Sequence, residues 1–175
     1  PLRTLIDSEM EEDIIHSFVL MAQQRENLWM PTFPKITGDG AAMNSNHGVA
    51  TVLDAYRKGL RNFDLEQAYL ASKGAITEKT LAPWSAKPAG ELDRFYLENG
   101  YFPALKVGVE ESHPEVHHFE RRQPVAVTLG TSYDHWCLSE IADELGRTEE
   151  AEEYRKASFN YRNLFHPESH FFHPK

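Results

Sequence analysis

The chain is poor in cysteine, in net positive charge and in long apolar runs. Its one cysteine, Cys137, cannot form an internal disulfide, so no disulfide framework supports the fold. With 18 Lys+Arg against 27 Asp+Glu, the formal charge is −9. That balance argues against a surface for reading nucleic-acid phosphates, which needs clustered cations. No apolar run approaches the ~20 residues that a membrane-spanning helix requires. Gly-x-Gly-x-x-Gly, Gly-x-x-x-x-Gly-Lys and Gly-x-Ser-x-Gly are all missing, so nucleotide binding and serine-hydrolase chemistry have no support. What remains is 175 residues with 41% hydrophobic content, enough for one packed domain or a part of one. The chain begins at Pro1 and stops just after Phe171-Phe172, which reads as a segment of a longer protein.

Helical periodicity dominates. Ser8-x-x-Glu11 has the form of a capping box, and Ile14, Ile15, Phe18, Val19 and Ala22 follow as an apolar stripe. A helix is predicted over 8–27, another over 46–60, and a third from Asp64, with Gln67 three residues on. A short helix from Glu91 ends at Asn99-Gly100. Helix returns over 125–145, and a final one, capped by Thr148, runs toward Pro167. Pro-rich loops separate these elements at 29–40, 79–90 and 101–124. No strand alternation is persuasive. The order fits an all-α architecture, a partial α/α toroid of paired helices whose loops gather at one end. A tetratricopeptide-type turn at Leu145–Ala151 raises a helical-repeat solenoid as the alternative, but the motif does not recur 34 residues upstream.

Three constellations could carry chemistry. The first is Trp29 and Phe33 followed by Asp39 between glycines. Sugars stack their C–H faces on aromatic rings, and glycosidic cleavage uses a pair of carboxyl groups. A carboxyl lined by Trp and Phe would have a raised pKa; equally, the rings can cap the core and Asp39 form a turn. The second is His113-x3-His117-His118-Phe119-Glu120-Arg121-Arg122, readable as a metal pair, a substrate-contact loop or a solvated polar loop. The third is Tyr133-Asp134-His135-Trp136. On a helix Tyr133 and Trp136 share a face, either as core aromatics with a solvated edge or as the floor of a sugar site. Cys137 reads as a buried small hydrophobe.

The ordered set is more specific than its parts. Trp29-Met30-Pro31-Thr32-Phe33-Pro34 precedes Gly38-Asp39, Met43 and Asn46-His47. Asp54-Ala55-Tyr56-x-Lys58-Gly59 and Phe63-Asp64-x-Glu66-x-Ala68-Tyr69 follow. Then come Gly100-Tyr101-Phe102-Pro103, Phe119-Glu120-Arg121-Arg122-Gln123, Thr128-Leu129, Tyr133-Asp134-x-Trp136 and Asn160-Tyr161-Arg162-Asn163-Leu164-Phe165. In this order they resemble glycoside hydrolase family 92, the calcium-dependent exo-α-mannosidases. The resemblance implies an α/α toroid preceded by a β-sandwich domain that is missing here. It implies removal of terminal α-mannose, α-1,2-linked among others, by inverting two-carboxylate hydrolysis of a mannose-containing glycan. It puts the acid at Asp39, where typical members carry Glu, and the base beyond Lys175. It offers Trp29, Phe33, His47, Glu120, Arg121, Asp134 and Trp136 for substrate binding. It implies calcium without assigning ligands, and a periplasmic or secreted location. Two departures stand out: Gly130 follows Thr128-Leu129 where many members have an acidic residue, and His135 interrupts a Tyr-Asp-Asp-Trp pattern.

Overall fold

The computed structural model describes residues 2–175, and these are predominantly helical. The helices are α1 (Leu2–Ile6), α2 (Ser8–Gln23), α3 (Gly48–Arg57), α4 (Leu65–Thr77), α5 (Glu91–Asn99), α6 (Pro124–Glu144) and α7 (Thr148–Ala157). A 3-10 turn, Asn160–Leu164, follows α7. Among the described residues no helix is long and apolar enough to cross a membrane.

Local chemistry sets most boundaries. Asp64 caps α4 by accepting the N–H of Gln67 at 3.0 Å. Gly100, at φ 72°, ends α5 in the left-handed conformation that glycine reaches without a Cβ penalty. Pro124 opens α6, where its missing N–H costs no helical bond. Two caps differ from expectation. Asp7 rather than Ser8 caps α2, its carboxylate accepting the Met10 N–H, so the helix starts one residue earlier than a Ser8 cap allows. Thr148 is the first residue of α7, not its cap. That helix also stops at Ala157, and the chain tightens into the 3-10 turn before Leu164. Two minimal antiparallel ribbons appear where no strand was expected: β1 (Pro34–Lys35) with β2 (Gly38–Asp39), and β3 (Phe165–His166) with β4 (Phe171–Phe172). At two residues per strand, they are too short for alternation to show in the sequence.

Helix α6 is the axis of the packing. Its Leu138, Ile141 and Ala142 join Ile15 and Val19 of α2, Val49 and Val52 of α3, Ala68 and Ala75 of α4, and Ala151 of α7 in the main core. The other end of α6 lends Val127 to a second cluster with Leu81, Leu92, Tyr96 and Phe102. Cys137 is fully buried, as expected of a small hydrophobe, and burial pushes its thiol up to about 12. Thr128 closes the seam with the 101–123 segment. Its hydroxyl donates to the Pro124 carbonyl and accepts the N–H of Phe102 at 2.9 Å. That segment has no helix or strand, as its prolines and histidines predicted. It is pinned by Glu111, whose carboxylate takes the Nε–H and an Nη–H of Arg122 and is held down at about 2 by that guanidinium. Helix pairs packed around α6, with long loops between them, are the arrangement of an α/α toroid wall.

Candidate functional site

The loop from Gly40 to His47 lies against the first half of α6. It is strained: Ala41, Met43 and Ser45 all have positive φ, at 48°, 76° and 67°. Non-glycine residues rarely adopt this region, and each instance costs energy that the surroundings must supply. The anchor is Asp134 of α6, with no solvent exposure. Its Oδ2 accepts the Asn46 N–H at 2.6 Å, and its Oδ1 meets Nδ1 of His47 at 2.6 Å. The imidazole is about half exposed beside this buried carboxylate. Its pKa is raised by the hydrogen bond to Asp134, against an opposing effect of burial. The pair therefore presents an oriented, protonatable ring to solvent from a buried anionic root. The edge of the Tyr133 ring lies against it, 5.8 Å between centroids.

Gly130 explains how the loop comes so close. A Cβ there would overlap the Ser45 hydroxyl and approach the His47 ring. An acidic side chain at this position, as the family pattern has it, has no room while Ser45 stays where it is. The Ser45 Oγ and Asn46 Oδ1 atoms are buried without hydrogen-bond partners.

Asp39 sits upstream in β2. Its carboxylate is almost fully buried and is used up in holding the chain. Oδ1 accepts the N–H groups of Phe33 at 2.8 Å and Ala41 at 3.0 Å, and Oδ2 accepts from Arg25 at 3.2 Å. Burial pushes this carboxyl up, but the hydrogen bonds from Phe33, Ala41 and Thr32 and the charge of Lys79 outweigh it, and the pKa is lowered. The expected raised value is thus reversed, because the carboxylate is met by donors instead of the aromatic lining. Trp29 does not line this carboxylate. It is 5% exposed, packed in the main core, with its indole N–H donating to Glu78 at 3.3 Å. Phe33 is partly exposed, under the Lys35 ammonium.

Lys79 escaped sequence reasoning. It is only 6% exposed, and burial pushes its ammonium down to about 8, while Asp39 and Asp134 pull the other way. A lysine beside Thr80 and Leu81 carries no local signal of this role; only the fold sets it near two carboxylates.

The Tyr133–Trp136 segment inverts one expectation. Asp134 and His135 are buried, and the aromatics are the partly exposed pair, with Tyr133 49% and Trp136 38% accessible. Their rings stack at 6.0 Å and line an open groove of about 400 Å³ with Leu129, Ser132, Phe159 and Tyr161. Arg57 lies over the Trp136 ring. His135 belongs to the core, between the rings of Tyr96 and Tyr154, and burial lowers its pKa.

The 101–123 loop reaches the site through one relay. Gln123 accepts from Asn44 Nδ2 at 2.8 Å and donates to Glu120 Oε2 at 2.9 Å. Gln123 and Arg121 both have positive φ, so this stretch shares the strain of the loop it meets. Arg121 is exposed beside a second cleft, which also involves Glu111, Arg122 and Pro174. The structure thus joins His47 to Asp134 and ties Glu120 to the same loop. Asp39 and Phe33 share the β1–β2 turn, while Trp136 stands in the neighbouring groove. Among the described residues no three His, Cys, Asp or Glu side chains converge on a metal position. Calcium takes six to eight oxygens, and no cluster of side chains among the described residues supplies such a set by itself.

The chain matches no curated protein. It does resemble solved structures. The family GH92 inverting mannosidase BT2199 of Bacteroides thetaiotaomicron VPI-5482 superposes with a TM-score of 0.75 at 27% identity, over 96% of this chain and 20% of that one. The GH92 α-mannosidase BT3965 of Bacteroides thetaiotaomicron, in complex with mannoimidazole, superposes with a TM-score of 0.76 at 21% identity, over 97% of this chain and 19% of that one. This chain therefore spans about a fifth of the length of these relatives. The description "Glycosyl hydrolase family 92 catalytic domain" matches residues 1–175, and the chain belongs to that family.

Proposed function

We propose that this chain forms part of a catalytic domain that removes terminal α-linked mannose, α-1,2 linkages included, from glycans by inverting hydrolysis. The observation that carries the reading is the strained loop pinned to α6 by Asp134, with His47 oriented outward from it. Together with membership of family 92, this gives a preorganised polar wall of the kind that holds sugar hydroxyls. Inversion needs an acid on one side of the glycosidic bond and a base-activated water ~6.5–9.5 Å away on the other. The base would come from residues outside this chain, as would a β-sandwich domain. Calcium would likewise take most of its oxygens from outside it, given the lack of a ligand cluster among the described residues. Periplasmic or secreted placement belongs to the same proposal.

Asp39 is the proposed acid, and it can act only when its carboxyl leaves Arg25 and the turn that now hold it ionised. That constraint supports a second reading, a relative that binds mannosides without turning them over. Two measurements on the complete polypeptide carrying this segment separate the readings. Proton NMR of α-1,2-mannobiose hydrolysis should show β-mannose first. Asp39→Asn should lower kcat for a poor leaving group by about 10²-fold or more, the usual worth of a general acid. Wild-type turnover that survives Asp39→Asn would remove Asp39 from the acid role; binding without any turnover would establish the second reading.

A further inference from the structure

From Leu81 to Ser85 every side chain is buried except one. Trp84 is 44% exposed, and its φ of 60° is unusual for so large a residue. The chain therefore accepts a strained backbone and an exposed indole at the same place, although relaxing either would favour folding. The position of Trp84 makes sense of both costs. Its backbone N–H donates at 3.4 Å to the carbonyl of Met43, itself at positive φ in the loop that Asp134 anchors. Its ring lies 5.8 Å from that of His117, which in turn lies tilted against the His118 ring at 4.6 Å.

Polar groups frame the indole. His117 Nδ1 accepts the N–H groups of Phe119 and Glu120, so in the neutral ring the proton sits on Nε2, which has no protein partner among the described residues. The relay from Asn44 through Gln123 to Glu120 occupies Glu120 Oε2 and leaves Oε1 without a protein partner among the described residues. An aromatic face with one hydrogen-bond donor and one acceptor nearby suits a pyranose, whose C–H face stacks while its hydroxyls exchange hydrogen bonds.

We propose that Trp84 and His117 form a platform for the sugar next to the terminal mannose, on the leaving-group side of the bond cleaved. The proposal rests on the mannosidase reading above, and the commitment to this sugar comes from the contact of both loops with the 41–47 segment.

The test uses the complete polypeptide and two substrates, α-1,2-mannobiose and α-mannosyl fluoride, which has no second sugar. Trp84→Ala should lower kcat/KM for the disaccharide by about tenfold, the size of one lost aromatic contact, and leave the fluoride within about twofold. Trp84→Phe should recover most of the loss. An equal loss on both substrates would make Trp84 structural and overturn the proposal, as would no loss on the disaccharide. If the wild type cleaves neither substrate, the mannosidase reading fails by itself. Calorimetric binding of mannobiose against mannose then decides. A preference for the disaccharide that Trp84→Ala abolishes upholds the platform, and a wild type without that preference overturns it.

Discussion

Asp134 shows how much one carboxylate can organise. It has no exposure, yet both of its oxygens are matched, one by a backbone N–H and one by an imidazole. Removing one partner from a buried pair is costly because the other is left unsatisfied. The pH consequence follows from His47. Its folded pKa lies above the ordinary imidazole value of about 6.5, so the pair's stabilisation is fully present below that value and is lost as pH rises through the folded pKa. Asp134→Asn should return the His47 titration toward the ordinary value in an imidazole NMR experiment, the signal being assigned by its loss in His47→Asn. It should also flatten the decline in stability above about pH 6.5 in denaturant melts. A His47 resonance that titrates unchanged in Asp134→Asn would refute the coupling. Asp39 behaves in the opposite way. A depressed carboxyl contributes stability above its unfolded pKa that is lost as pH falls through the folded one.

At the scale of elements, the decisive contact is loop against helix, at Gly130 and Ser45. Ser45 carries a positive φ and a buried hydroxyl without a partner, and Gly130 leaves the space it fills. Gly130→Ala should destabilise the protein by about 1–3 kcal/mol through overpacking. Ser45→Gly relieves both the φ strain and the orphan hydroxyl, and in the double variant it should restore most of that loss. Thermal or urea melts of the two single variants and the double check it; strictly additive losses would mean that the two positions do not share the space. The elements themselves were largely legible. Asp64 with Gln67 and Gly100 at the end of α5 act through bonds spanning a few residues, which sequence spacing reports, and α6 begins at Pro124, one residue before the expected 125. The caps of α2 and α7 were each misplaced by one residue: Asp7 and Ser8 are both competent caps and only the turn geometry chooses, while at α7 Arg147 holds the cap position without a side-chain bond and Thr148 is already helical.

On the scale of the whole molecule, the chain is an array of helices packed around α6. It spans about a fifth of its solved relatives, and the Tyr133–Trp136 groove and the Trp84 ring lie open on its surface. On the proposed mannosidase reading, the chain expressed alone should bind mannosides weakly and show no turnover, while the complete polypeptide should hydrolyse them. Calorimetry and a reducing-sugar assay on both compare the two, and turnover by the isolated chain would overturn the proposed division of carboxylates between this segment and the rest.

Helical class, the Pro-rich loops, the Asp64 cap of α4, the buried cysteine and the resemblance to family 92 were determined by sequence alone, because each depends on local spacing or on an ordered set of short motifs. The site was not so determined. Trp29 and Asp39 are neighbours in a suggestive loop, yet tertiary packing sends the indole into the core and closes the carboxylate into a turn with Arg25. His47 and Asp134 stand 87 positions apart, and the fold makes them a pair. Which of Tyr133, Asp134, His135 and Trp136 are buried depends on what packs against α6, the 41–47 loop on Asp134 and the rings of Tyr96 and Tyr154 on His135. Burial of a charge is decided by the donors that the rest of the chain can bring to it, and those donors are distant in sequence.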